Sequence, residues 1–119
     1  MRCILPHPPG SAALRAASAA GLRTFILSNT SFLHSRAIFL YETLAGLPEL
    51  YALSYKLGCM KPDPRIWLWL LERAALRPED CVYVDDIEAY CSTAASLGMT
   101  ALRYDFRVDD LWQKLEAIL

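Results

Sequence analysis

The tightest constraint on this chain is an alternation. Short apolar runs, each closed by a polar cluster, take turns with longer stretches of helical period. The runs are Arg23 to Ser28 (RTFILS), Leu50 to Tyr55, Cys81 to Val84 (CVYV) and Thr100 to Tyr104. Apolar runs this short have the pattern of strands buried on both faces. Helices are predicted between them. Ser11 can cap one that runs through Ala20 and stops at Gly21, and Phe32 to Ala45 has helical period before Gly46 and Pro48. Asp63 can cap, and Pro64 suits the first turn of, a helix that continues to about Ala75. Ile87 to Leu97 ends at Gly98, and Val108 to Leu119 forms a last amphipathic helix. Met1 to Gly10 is Pro-rich and reads as an irregular lead-in. Strands that alternate with helices pair in parallel through right-handed crossovers. The expected fold is therefore α/β: a three-layer, Rossmann-like parallel sheet with helices on both faces, in one domain over residues 1–119.

Composition supports a packed core and narrows the partners. Apolar residues make up 55%, enough to bury a core. Twelve basic residues face thirteen acidic ones, with no basic stretch, so a nucleic-acid partner is not expected. Cys3, Cys59, Cys81 and Cys91 show no C-x-x-C spacing, and His7 and His34 lie near no cysteine, which argues against zinc. Four reduced, mostly buried thiols are expected. No apolar run approaches the ~20 residues of a membrane span. The Ala-rich start lacks a basic n-region before an apolar one. A cytoplasmic protein without a membrane partner follows, and the Asn29-Thr30-Ser31 sequon is then a chance match.

In a sheet of this kind ligands bind beyond the carboxyl ends of the strands. Ser28, Asn29 and Thr30 end the first run. A hydroxyl followed by free N–H groups at a helix start can cradle an anion, and the same residues can equally be an ordinary cap. Lys61 sits in Gly58-Cys59-Met60-Lys61-Pro62-Asp63-Pro64, where two prolines stiffen the loop. A fixed ammonium can neutralise a phosphoryl group or a carboxylate; a plain turn lysine is the other reading. Asp85 and Asp86 end the third run. Adjacent carboxylates repel unless a cation joins them, and oxygen ligands suit Mg²⁺. Alternatively Asp86 caps the next helix and Asp85 is solvated. Glu88 is a further possible ligand, or simply an acidic residue favouring a helix N-terminus. Trp67, Trp69 and Trp112 are expected to pack; Trp67 and Trp69, two apart on a helix, face different ways.

Taken together, these pieces resemble the haloacid dehalogenase (HAD)-like hydrolase superfamily, in its phosphatase-like branch. Phe25-Ile26-Leu27-Ser28-Asn29-Thr30 resembles its second motif, Lys61 in its Lys-Pro-Asp-Pro context the third, and Val82-Tyr83-Val84-Asp85-Asp86 the fourth. The resemblance implies that Ser28, with Asn29 and Thr30, binds the phosphoryl oxygens. Lys61 would stabilise charge at the reacting centre, and Asp85 with Asp86 would hold Mg²⁺. The implied reaction is hydrolysis of a phosphate monoester, in which an aspartate attacks phosphorus and water cleaves the acyl phosphate. The implied partner is a small phosphorylated metabolite.

The departure is in the first motif, the D-x-D that supplies the nucleophile and the general acid. No acidic residue precedes Glu42, and Arg2-Cys3-Ile4-Leu5, a possible remnant strand, contains none. The first strand and the cap domain are therefore expected to be absent or degenerate here and to lie upstream. Two inner sheet edges would then be bare, open to a missing N-terminal segment or to self-association. The chain alone is expected to be inactive. A non-catalytic module that keeps the fold for binding is the alternative. A two-component receiver domain is disfavoured because it needs its acidic pair first and its lysine last.

Overall fold

A computed structural model of the chain describes residues 3–5, 19–29, 49–103, 113, 114 and 117. Its strands are β1 (Cys3–Leu5), β2 (Arg23–Thr24), β3 (Ile26–Ser28), β4 (Tyr51–Leu53), β5 (Cys81–Asp85) and β6 (Thr100–Arg103). The helices are α1 (Ser54–Leu57), α2 (Arg65–Arg73) and α3 (Glu88–Ser96), and a 3-10 turn at Pro78–Asp80 leads into β5.

Every strand pair is parallel. The ladder runs β2-β1-β5-β6, and β3 pairs β4. The two sets join through Phe25, since β2 leads straight into β3. Main-chain bonds carry the join across to the β4 strand, from Glu49 N–H to Thr24 O (2.9 Å) and from Ile26 N–H to Leu50 O (3.1 Å). The expected strands at 23–28, 50–55, 81–84 and 100–104 are thus present, the first divided at Phe25, the second shortened to Tyr51–Leu53 and the third extended to Asp85, as shifts of one or two residues at strand ends commonly give.

The central position holds a correction. Cys3–Leu5, the three-residue stretch read as a possible remnant, lies between β2 and β5, with Cys3 level with Arg23 and Cys81. The slot expected to be vacant is filled, and the inner edges that suggested self-association have ladder partners. The strand is degenerate in its chemistry only, because it carries no aspartate.

All five residues of β5 are buried, as expected for a central parallel strand. On one face Ile66, Trp67, Leu70 and Leu71 of α2, with Cys91 and Ala94 of α3, pack onto Phe25, Leu27, Ala52, Cys81 and Tyr83. Each large apolar side chain so buried contributes about 1.5–3 kcal/mol. Ile26, Val82 and Val84 are buried as well and lie outside that cluster, so the central strands are covered on their second face too. The helices expected over 32–45 and 108–119, and most of that over 11–20, lie outside the described residues.

Local signals held where chemistry is strong. Gly21, Gly58 and Gly98 take positive φ, and Gly21 and Gly98 stand where helix ends were expected. The Asp63 carboxylate accepts the Arg65 N–H at 2.9 Å where α2 begins. Trp67 is buried edge-on against Tyr83, with ring centroids 5.4 Å apart, while Trp69 is half-buried and stacks under Arg73. The expectation of reduced thiols holds for Cys59 and Cys91, which are free. Cys81 is disulfide-bonded instead.

Candidate functional site

Strand β5 ends in Asp85, and the loop after α1 brings Lys61 against it. The Lys61 Nζ lies 2.9 Å from Asp85 Oδ2, with the two side chains 1% and 0% exposed. Tyr83, two residues before Asp85, projects from the same strand face. It accepts from Lys61 Nζ at 3.0 Å and donates a short hydrogen bond to Asp85 Oδ2. The second Asp85 oxygen accepts the Ile87 N–H at 3.1 Å, so Asp85 rather than Asp86 braces the turn into α3. The Tyr90 ring, on α3, has its centroid 4.9 Å from the Lys61 ammonium; the Tyr83 ring centroid is 5.7 Å away.

Asn29, the residue after β3, fixes the lysine from its main chain. Its Oδ1 accepts the Lys61 N–H at 2.7 Å, and its Nδ2 donates to Lys61 O at 3.0 Å. This amide imitates a strand neighbour for one residue. The same Nδ2 donates to the Tyr90 hydroxyl at 3.3 Å. Asn29 was expected beside the phosphoryl group; here its amide is committed to holding Lys61. Ser28 is buried at the end of β3, level with Leu53 of β4. Thr30 lies outside the described residues.

Burial opposes both charges of the pair. It pulls the Lys61 ammonium below its ordinary value against the attraction of Asp85. It would raise Asp85, but the Lys61 charge and the Tyr83 hydrogen bond outweigh it and bring the carboxyl from 3.8 down to about 2. Burial, with Asp85 beside it, pushes the Tyr83 phenol far above its ordinary value, so it stays protonated and donates. Asp85 thus binds its proton more weakly folded than unfolded. The stabilisation is complete above the ordinary carboxylate range and disappears as pH falls from about 4 toward 2. Acid unfolding followed by circular dichroism should lose on the order of 2 kcal/mol over that window. Asp85→Asn should flatten that part of the profile.

Of the remaining acidic residues, Asp86 is exposed, and its carbonyl accepts Arg103 Nε at 3.3 Å. Glu88 pairs with Arg103 on the surface at 3.3 Å. Residues fit for Mg²⁺ would need several oxygens around one point. Asp85 already receives Lys61, Tyr83 and Ile87, and Asp86 alone stands beside it. Among the described residues no group of three His, Cys, Asp or Glu side chains converges. The donor set does not fit a well-formed magnesium site.

The structure brings the expected Lys61 and Asp85 together near the strand end at Ser28, and adds two tyrosines that sequence reasoning missed. Tyr83 was detectable, because strand alternation puts it on the Asp85 face. Tyr90 was not, since its place depends on how α3 returns over the Lys61 loop.

A buried lysine–carboxylate pair thus lies at the carboxyl end of a central parallel strand, beside a Ser-Asn strand end, where sheets of this kind bind their ligands. The family model for haloacid dehalogenase-like hydrolases matches residues 3–98, and the chain belongs to that family. Phosphatase MT3486 of Mycobacterium tuberculosis is 31% identical over 100 residues, which is 83% of this chain and 46% of that protein. Acyl-CoA dehydrogenase family member 10 of Mus musculus is 35% identical over 101 residues, 85% of this chain and 9% of that protein. The chain therefore spans less than half the length of either curated relative. Among solved structures, an uncharacterized Corynebacterium glutamicum protein matches with a TM-score of 0.80 at 26% identity, covering 99% of this chain and 92% of that one. A magnesium complex of a HAD family enzyme from Bacteroides thetaiotaomicron matches with a TM-score of 0.73 at 26% identity, covering 89% of this chain and 55% of that one. No helix among the described residues is long and apolar enough to cross a membrane.

Proposed function

We propose that this chain carries the phosphoryl-handling part of a phosphate-monoester hydrolase, and that as written it binds phosphate without hydrolysing its esters. The observation that carries the reading is the meeting of Lys61 and Asp85 beside the strand end at Ser28 and Asn29. The likeness to a mycobacterial phosphatase favours phosphate over halide chemistry. The partner is a small phosphorylated metabolite, and no nucleic acid or membrane is invoked.

Each residue has a part. Ser28 offers a hydroxyl to a phosphoryl oxygen. Lys61 supplies positive charge, held at one point by Asp85 and Tyr83 at its head and by Asn29 at its main chain. Covalent turnover also needs a carboxylate at the end of β1 to attack phosphorus. The sequence from Cys3 to Pro8 has none.

Inorganic phosphate added to the ¹⁵N-labelled chain should shift the amides of Ser28, Asn29 and Lys61 with millimolar or weaker affinity, and Lys61→Met should abolish the response. Shifts that survive Lys61→Met would contradict the assignment. Magnesium, which the family resemblance implies, would be held by Asp85 with Asp86 and otherwise by water. Mg²⁺ titration by calorimetry should give millimolar affinity at best, lost in Asp85→Asn. Micromolar binding would require ligands beyond these two.

The second reading is a non-catalytic HAD-fold binding module. The enclosure of the Lys61–Asp85 pair by Tyr83 and Tyr90 favours it. Supplying a D-x-D strand separates the two: turnover gained supports the enzyme part, and unchanged inactivity supports the module. On location, the reading taken from the sequence is the cytoplasm.

A further inference from the structure

Lys61 is the charge an incoming anion needs, yet its side chain is 1% exposed. Two of its three N–H groups donate to Asp85 and Tyr83. The described groups around the ammonium differ in what they offer an approaching anion. Asp85 repels it by charge. Tyr83 is fully buried in β5 and anchored edge-on by Trp67. Tyr90 is neither charged nor fully buried: it is partly buried on α3, with its ring centroid 4.9 Å from Nζ.

We propose that Tyr90 is the specificity-determining residue of this site: its ring covers the Lys61 ammonium, and a phosphate anion reaches Lys61 only by displacing it. The inference rests on the reading of Lys61 as the anion-binding charge. The fastening of the ring suits that part. Among the described residues, the hydroxyl of Tyr90 is tied by one hydrogen bond of 3.3 Å from Asn29, long for an N–H···O bond. Asn29 holds the Lys61 main chain by two shorter bonds, of 2.7 and 3.0 Å. Moving the ring breaks the weak tie and leaves the strong ones, so the lysine stays aimed while its ammonium is uncovered. What an anion must overcome is the cation–π contact, which is strongest where water is excluded.

The test uses the full chain and inorganic phosphate as probe. Tyr90→Ala should bind phosphate about tenfold more tightly than the unaltered chain, the scale of losing one desolvated cation–π contact as a competitor. Tyr90→Phe keeps the ring and should change affinity by no more than about twofold, since it loses one long hydrogen bond. Equal affinity in the unaltered chain and Tyr90→Ala overturns the proposal, as does a Tyr90→Phe that matches Tyr90→Ala. If the Lys61→Met, Tyr90→Ala double variant binds as well as Tyr90→Ala, the anion site is elsewhere and the function reading itself fails. A measurement without variants covers the case in which Tyr90→Ala does not fold. The sequence has three lysines, Lys56, Lys61 and Lys114. In ¹⁵N-lysine protein near neutral pH, an enclosed ammonium exchanges slowly with water and gives a visible side-chain N–H signal, whereas exposed ammonium groups exchange it away. The Lys61 signal should be present, and added phosphate should weaken it as the ring is displaced. Its absence, or indifference to saturating phosphate, overturns the proposal.

Discussion

Lys61→Met is expected to lower stability by roughly 3–5 kcal/mol, the range for stranding one charge of a buried ion pair. The reason is Asp85. With its side chain 0% exposed it has no water to replace the ammonium, and Tyr83 and Ile87 together supply only neutral donors. In a chain of this length the loss corresponds to a fall in Tm of about 10–20 °C. The double variant Lys61→Met, Asp85→Leu should recover most of it, because an apolar pair of similar volume can replace a buried ion pair at little cost. Urea unfolding of the three proteins measures this directly. A loss below about 1 kcal/mol for Lys61→Met, the range of solvated surface pairs, would mean that the pair is hydrated in solution.

That interdependence explains what the sequence made legible. β5 could be read because Cys-Val-Tyr-Val is apolar at every position and its end is marked by acid residues. Lys61 and Asp85 could be read as separate chemical signals, each beside a plausible strand end. Their convergence at one edge of the sheet could be expected too; the direct ion pair could not, because it joins residues 24 apart through a loop whose course is set by Asn29. β1 was harder still. Three residues beside a Pro-rich stretch carry too little pattern to mark a strand, and Cys3–Leu5 is one because β2 and β5 both offer it a ladder. Asn29 was assigned to ligand binding on its position after a strand end. Side-chain amides in such places serve main chain as readily as ligand, and only the geometry separates the two uses.

The absence of a carboxylate in β1 has the largest functional consequence. On the proposed reading, Ser28 and Lys61 are the groups of the family's reaction that this chain keeps. The sequence places no carboxylate in or just after β1 that could form the acyl phosphate. Asp86 and Glu88 are the nearest exposed carboxylates to Asp85 along the chain, and Glu88 is paired with Arg103. Removing a covalent nucleophile lowers turnover by several orders of magnitude, on the order of 10⁶-fold where it has been measured in a hydrolase. The most direct measurement is therefore hydrolysis of p-nitrophenyl phosphate by the purified chain in the presence of Mg²⁺. The expected result is no release of p-nitrophenol above an enzyme-free blank, in the unaltered chain and in Asp86→Asn alike. Turnover that persists through purification and disappears in Asp86→Asn would contradict it, and would make Asp86 the nucleophile of an active enzyme.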